Sequence, residues 1–462
     1  MKVESIQLRS VTNFTNIQLN FNYQKKPITL IFGEQGVGKT TIIKCIYQSL
    51  TWFSARYKDI RTAGVVMSDQ DITQNSTQAK IDIGIRFSSE IGSFAETANH
   101  ADQDPQHCNW QLYKTLSDNH LSVSRAHTEQ LEQLISLYRK AIEKDELQGL
   151  PLIAYYPTDR FIHEVNLLNK NNPLIFQATS AYDYTAMSCT TFTRFFEWFR
   201  EITDIENAQT SQLLQHILQD QQSMEPEIDL SQHLLNVYSQ MHAPNSYALK
   251  TAIYTVLPEI TNIELNFQPK LQMTVTYKGK VMSFQQLPNS IRNTFALVGD
   301  IVRRLCILNP NSLFPCLEGE GVLLIDQINH HLDETTASTF LSKLHQAFPH
   351  LQIIATTSQN TLLNDAADFQ CLRLDNQQVQ AINTQFTHTN FDEIYNNMYD
   401  ELNDSTDSDV TEPSLNQTTE ISPSPEAILE FIQQHLNTHQ QNTLMKLLSQ
   451  SGYIPVEQNL LE

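Results

Sequence analysis

The chain has 462 residues, 40% hydrophobic and 18% charged, which is the balance of a globular protein able to bury a sizeable core. A net charge of −21 opposes general attraction to a nucleic-acid backbone and excludes a simple DNA-coating protein. No apolar run approaches a membrane span, so no membrane partner is expected. Six scattered cysteines (45, 108, 189, 306, 316 and 371) include no C-x-x-C pair, which argues against structural zinc or disulfides and for a reducing cytoplasm.

Residues 1–23 alternate as Val3-Glu-Ser-Ile6-Gln-Leu8 and, after a turn at Asn13, as Ile17-Gln-Leu19-Asn-Phe21. Two strands of an antiparallel sheet are predicted, and the immediate start of that alternation gives no expectation of a signal peptide. Ile28 to Phe32 is a short buried strand, followed by a glycine-rich loop and a helix with Ile42, Ile43, Ile46 and Leu50 on one face. Residues 58–72 read as a polar loop, and Ala79 to Phe87 alternates as a strand. Residues 88–127 are polar and show no clear period, so an insertion loop is expected. His100, His107 and Cys108 within it match no metal-ligand spacing and read as solvated surface.

A helix is predicted over 128–147 and a buried strand over 151–157. Thr158-Asp-Arg160 then falls at the carboxyl end of that strand, where α/β sheets place ligand groups. Helices follow at Phe192–Ile202, Ser211–Leu218, Ser231–Met241 and Tyr247–Val256, and with 128–147 they form an expected helical lobe. A three-stranded meander covers Ile263–Phe284, and a long apolar helix runs from Ile291 to Leu308. Gly321-Val-Leu-Leu-Ile-Asp326 is a buried strand ending in an acid. A helix at Ser338–Phe348, a buried strand at Leu351–Thr356 and a hairpin over 371–384 complete the ordered pattern. Residues 401–425 have the composition of a solvated linker, and Glu426 to Ser449 reads as an amphipathic helix that could dock on its own lobe or on a partner.

The chemistry centres on Gly33-Glu-Gln-Gly-Val-Gly-Lys-Thr40, which fits the P-loop pattern in its strand–loop–helix context. Gly33, Gly36 and Gly38 let the backbone wrap phosphate oxygens, with Gln35, Val37 and Thr41 completing the loop and helix start. Lys39 can reach the β- and γ-phosphates, and the Thr40 hydroxyl can ligate Mg²⁺. Asp326, at the end of its apolar strand, is the expected second Mg²⁺ ligand. Gln327 follows it, and an amide can orient a water but cannot accept its proton. ATP and Mg²⁺ are therefore the expected cofactors.

With those residues in place, the chain resembles ABC-type ATPases of the RecF/SMC class. The resemblance rests on Asn13-Phe14, the loop 33–41, Ser283-Phe-Gln-Gln-Leu-Pro-Asn-Ser290 at the signature position, Asp326-Gln-Ile-Asn-His-His-Leu-Asp333, and Ala355-Thr-Thr-Ser358 at the switch-histidine strand. It implies an α/β, ABC-type (RecF/SMC-like) P-loop domain with an inserted helical lobe. The implied division is lobe I at 1–89, a loop and helical insertion at 90–258 with strand 151–157 belonging to the ATPase sheet, lobe II at 259–400, a linker at 401–425 and a C-terminal helix at 426–462. Within the class the chain looks most like compact ATPases of bacterial anti-phage systems, the PtuA type of Septu and retron systems and the PARIS ATPase. That likeness implies self-association and a separate nuclease of HNH or Toprim type, with a retron reverse transcriptase and its RNA/DNA as further partners. Asn289 and Ser290 would face the γ-phosphate of an opposite subunit.

The departures cluster in hydrolysis. Pro288 stands where the family has serine, Ser290 where it has glycine, Gln327 where it has glutamate and Ser358 where it has histidine. Every residue expected to hold nucleotide is present. The expectation is an ATP-binding scaffold or sensor with slow or absent turnover. The alternative is a RecF-like DNA-repair ATPase, which the charge and the altered residues disfavour. A nuclease built on His330 and His331 is a third reading, but adjacent side chains diverge, and a subunit-interface role suits them better.

Overall fold

A computed structural model describes residues 1–94, 104–116, 122–160, 162, 178–182, 192–221, 244–268, 270–330, 332, 334–359 and 369–382. The chain divides into a unit Met1–Asn390 and a unit Phe391–Glu462, and the second lies outside the described residues. The expected helix 231–241, the linker 401–425 and the C-terminal helix fall outside them as well.

In chain order, β1 (Lys2–Val11) and β2 (Phe14–Asn20) form a hairpin, and β3 (Ile28–Phe32) leads through the glycine-rich loop into α1 (Lys39–Lys58). β4 (Gln78–Arg86), β5 (His107–Leu116), β6 (Ser122–His127) and α2 (Glu129–Lys144) come next, then β7 (Leu152–Tyr156). Helices α3 (Thr193–Gln221) and α4 (Pro244–Val256) precede the meander β8 (Ile260–Asn266), β9 (Gln272–Tyr277) and β10 (Lys280–Ser283). The long α5 (Asn289–Leu308), β11 (Gly321–Ile325), α6 (Glu334–Ala347), β12 (Leu351–Thr357) and the hairpin β13 (Gln370–Asp375) and β14 (Gln378–Ile382) complete it.

The strands make three sheets. The central one runs β14-β13-β3-β12-β11-β7, parallel from β13 to β7 with β14 antiparallel at the edge. Its inner strands β3, β11 and β12 are buried along their whole length, which is why their sequences are runs of Ile, Leu and Val rather than alternations. The second sheet, β2-β1-β4-β5-β6, is antiparallel and alternates. Two glutamines splice it to the first. Gln352 on β12, fully buried, accepts from the Val3 N–H at 2.7 Å and donates to the Val3 carbonyl at 2.9 Å. Gln370 accepts from the Asn22 N–H and donates to the Asn20 carbonyl, each at 2.8 Å. This is an α/β P-loop fold, with α3 and α4 lying between β7 and β8 in sequence.

Residues 107–116 and 122–127 are strands, not a loop. β5 pairs with β4 from Gln78↔Thr115 to Arg86↔His107, and β6 pairs with β5. Cys108, Trp110 and Leu112 point inward while their neighbours are polar, a period of two that the long polar lead-in of 88–106 obscures. His107 Nδ1 meets Glu4 Oε2 at 2.6 Å and its side chain stays 29% exposed, whereas Cys108 is fully buried and is not solvated surface. α2 packs beside this sheet and α1 rather than with α3. The Asn109 N–H donates to Gln130 at 2.7 Å, Arg139 donates to the Tyr57 carbonyl at 2.7 Å, and Tyr138 meets Phe53 edge-on at 5.2 Å. The two helices expected at 192–218 are one continuous α3, because Thr203 to Thr210 contains neither Gly nor Pro to interrupt it.

A buried charge network ties β7 to α5. Asp300 accepts from Tyr156 OH (2.9 Å), Arg303 Nε (2.9 Å) and Arg304 Nε (2.8 Å), with Asp300 and Arg303 each only 2% exposed. Burial alone would raise the Asp300 pKa, but the guanidiniums of Arg304 and Arg303 outweigh it and hold it below the ordinary carboxylate range. Asp300→Ala is expected to destabilise the fold by about 3–5 kcal/mol, because it leaves two buried guanidiniums without their carboxylate. Urea unfolding measures this. The depressed folded-state pKa means that Asp300 contributes its full stabilisation above the unfolded value near ~3.9 and loses it as pH falls below that, so the gap between wild type and Asp300→Ala should narrow in acid.

Candidate nucleotide site

The site is assembled where β3, β7, β11 and β12 end together at the carboxyl edge of the parallel sheet. Register fixes this: Ile325 lies beside Tyr156 and Ala355, and Thr357 beside Phe32. The loop after Phe32 must turn sharply into α1, and glycine permits it. Gly36 has φ +85° and Gly38 φ +104°, left-handed values that an L side chain rarely adopts. At Gly38 there is also no room, since a Cβ would lie 2.4 Å from the Phe14 ring. Phe14 of the β1–β2 turn thus packs directly under the loop.

Lys39 is 4% exposed, and its ammonium donates back to the carbonyls of Gly33 (2.7 Å) and Glu34 (2.6 Å) inside the loop it opens from. Burial lowers its pKa, and the Asp326 carboxylate opposes that. Val37 packs against the core, while Gln35 and Gly36 are exposed at the loop crest and Thr41 is half-buried in the first turn of α1.

Asp326, 1% exposed, is the junction. Its Oδ2 accepts from Thr40 Oγ1 (2.9 Å) and Thr158 Oγ1 (3.1 Å), and its Oδ1 from Thr356 Oγ1 (2.6 Å). Thr356 in turn accepts from the Gln327 N–H at 2.8 Å. Gln327 sits at φ +48°, left-handed for a non-glycine residue. Ser358 Oγ lies 3.5 Å from Gln327 Oε1, so these two predicted residues are neighbours at the edge of the site.

Arg160 fixes the loop behind the acid. Its guanidinium, 5% exposed, donates to the carbonyls of Pro157 (2.9 Å), Asp326 (2.6 Å), Gln327 (2.8 Å) and His330 (3.4 Å). Burial brings its pKa down to about 10, with the Asp326 charge opposing, and it stays cationic at neutral pH. Asn289 and Ser290 stand apart. They open α5 behind Pro288, Asn289 accepts from Arg292, and among the described residues no hydrogen bond links 283–290 to the P-loop. The strand position of Thr158 and Arg160 was visible in the sequence, but their attachment to Asp326 was not. Thr356 carried a signal, a hydroxyl directly after the buried apolar run Ile353-Ile354-Ala355.

The model of the family AAA_23, described as an AAA domain, matches residues 5–260. The chain belongs to this AAA-domain family. It is 25% identical over 399 residues to "Retron Ec83 probable ATPase" of Escherichia coli, covering 77% of this chain and 68% of that one. It is 26% identical over 390 residues to "Retron Vc95 probable ATPase" of Vibrio cholerae serotype O1 biovar El Tor, covering 79% and 71%. Among solved structures, the SmcHead bound to the C-winged helix domain of ScpA aligns with 83% of this AAA-domain chain and 98% of its own, at 12% identity and a TM-score of 0.41. The SMC head domain from Thermotoga maritima aligns over the same shares at 11% identity and 0.38. Among the described residues, no helix is long and apolar enough to cross a membrane.

A hydroxyl and a carboxylate in contact, Thr40 and Asp326, are the hard oxygen donors that suit Mg²⁺, and the glycine loop with a buried lysine suits a phosphate chain. Two outcomes follow from the geometry. Gln327→Gly is expected to raise stability by about 1 kcal/mol by removing the left-handed penalty, as read by thermal unfolding. Arg160→Met is expected to cost about 3 kcal/mol or more, because the carbonyls of 157, 326 and 327 lose a charged donor while remaining enclosed, as read by urea unfolding.

Proposed function

We propose that this chain is the ATP-binding subunit of a retron-type anti-phage defence complex, PtuA-like, which holds Mg²⁺–ATP and turns it over slowly. The backbone N–H groups of Gln35 to Lys39 and the start of α1 at Thr40 and Thr41 take the phosphates, with Gly33 turning the loop. Lys39 swings from its loop carbonyls to the β- and γ-phosphates, and Thr40 and Asp326 hold Mg²⁺. Asn289 and Ser290, which among the described residues share no hydrogen bond with their own P-loop, serve an opposite subunit in a homodimer or larger oligomer. Mg²⁺–ATP, when bound, supplies the charge that draws two such faces together.

The observation that carries the reading is the pair Gln327 and Ser358. At the two positions where relatives of this fold class activate water, an amide and a hydroxyl stand 3.5 Å apart, and neither accepts a proton at neutral pH. Nucleotide is then a structural clamp more than a fuel. The domain reading that accompanies it keeps lobe II at 259–400 and extends lobe I from 1–89 through β6 and α2. Residues 401–425 and 426–462 act as a tether and docking helix. A separate HNH or Toprim nuclease is the effector in this reading, with a reverse transcriptase and its RNA/DNA as further components, in the cytoplasm.

The support from kinship is the likeness to two retron probable ATPases across more than two thirds of their length. The test compares ATP binding and turnover in purified wild type, Lys39→Ala and Gln327→Glu. Wild type is expected to bind ATP and turn over well below an ordinary rate of about 1–10³ s⁻¹. Gln327→Glu should raise turnover by about 10²-fold or more through a restored general base. Lys39→Ala should lose binding. Wild-type turnover at an ordinary rate that Lys39→Ala abolishes would overturn the slow-clamp reading.

A further inference from the structure

At the amino edge of the parallel sheet, opposite the P-loop, four large apolar side chains are exposed together. Leu147, Leu313, Phe314 and Leu317 are 67%, 54%, 46% and 47% exposed. The Asn311 amide donates to the Glu146 carbonyl at 2.8 Å, which seats the segment 311–318 against the end of α2. A cleft of about 330 Å³ opens beside them, with Leu147 in its wall. Its lining carries four carboxylates and among the described residues no lysine or arginine. Glu320 is paired with the Met1 ammonium at 2.9 Å, which leaves Glu90, Asp145 and Glu318 to give the cleft its negative charge. Scattered single apolar residues are ordinary on a protein surface, but an apolar patch beside a cleft with a net negative lining has the character of an interaction surface.

We propose that this cleft and patch dock a cationic amphipathic segment of a separate protein. Its bulky apolar side chains rest on Leu313, Phe314 and Leu317, and its lysines or arginines enter the cleft. Charge selects this occupant over the others. A second copy on a two-fold axis would bring the same carboxylates face to face. A nucleic-acid backbone would meet the same repulsion. The chain's own amphipathic stretch at 426–449 has Lys446 as its one strongly basic residue against Glu426 and Glu430. Pro151, just before β7, lines this cleft, and the far end of β7 lies beside Asp326, so the cleft and the nucleotide site sit at opposite ends of one strand.

The inference rests on the reading that a separate protein works with this chain, and its test is kept apart from the nucleotide test. The full chain is titrated with a synthetic leucine–lysine amphipathic helix and with its leucine–glutamate counterpart, by fluorescence anisotropy, and ATP binding is measured in the same samples. The basic peptide should bind and the acidic one should not. Phe314→Asp and Glu90→Lys should each weaken binding at least about tenfold. Phe314→Asp makes the protein more negative, so unspecific attraction would strengthen instead. Val281→Asp, at a 73% exposed residue on β10, adds the same charge elsewhere and should change nothing. Equal binding by wild type, Phe314→Asp and Glu90→Lys, equal affinity for both peptides, or no binding by wild type overturns the docking surface. Loss of peptide binding with ATP binding retained sinks this inference alone. Peptide binding without ATP binding sinks the nucleotide reading alone.

Discussion

The buried Asp326 carboxylate is the constraint on which the site depends. A charge 1% exposed persists only with donors around it, and here three hydroxyls from three separate segments supply them. Two of those donors, Thr158 just beyond the end of β7 and Thr356 on the neighbouring β12, are part of the framework. The third, Thr40, belongs to α1 and is itself exposed. The carboxylate is therefore held firmly on one side and tied to the P-loop by a bond that can be exchanged on the other. That division lets a cation be accepted without unfolding the acid's surroundings.

Most strands of the central sheet were legible because their cues are local, whereas their order in the sheet was not read from the sequence. The runs at 28–32 and 321–325 are too apolar to be half-exposed, Ile353-Ile354-Ala355 marks the centre of a third buried strand, and the P-loop spacing names its own context. β5 was missed because its period of two rests on only three inward apolar residues, Cys108, Trp110 and Leu112, with a lysine, Lys114, at the next inward position and a long polar lead-in before them. The joint between α1 and α2 was also hidden, since an amphipathic helix states which face is buried and not what buries it.

The site divides along the same line. Lys39, Thr40 and Asp326 could be named because side-chain identity carries their chemistry. The Arg160 network could not, because all four of its acceptors are backbone carbonyls, which any sequence possesses. Gln327 shows both halves. Its amide was readable, but its left-handed backbone was not, because that conformation is imposed by Arg160 on its carbonyl and Thr356 under its N–H.

The Asp300 network then limits how the two edges of the sheet can communicate. β7 and α5 both run from the cleft toward residues proposed to meet nucleotide: β7 ends at Tyr156, whose carbonyl accepts from Asp326 N–H at 2.8 Å, and α5 begins at Asn289. Between those ends Tyr156, Asp300, Arg303 and Arg304 lock the strand to the helix. Sliding one past the other would strand a buried charge, which costs far more than the 1–3 kcal/mol typical of coupling between sites. Strand and helix must therefore move as one body or not at all. A displacement at the cleft then reaches Asp326 and Asn289 with the same sign and at the same time.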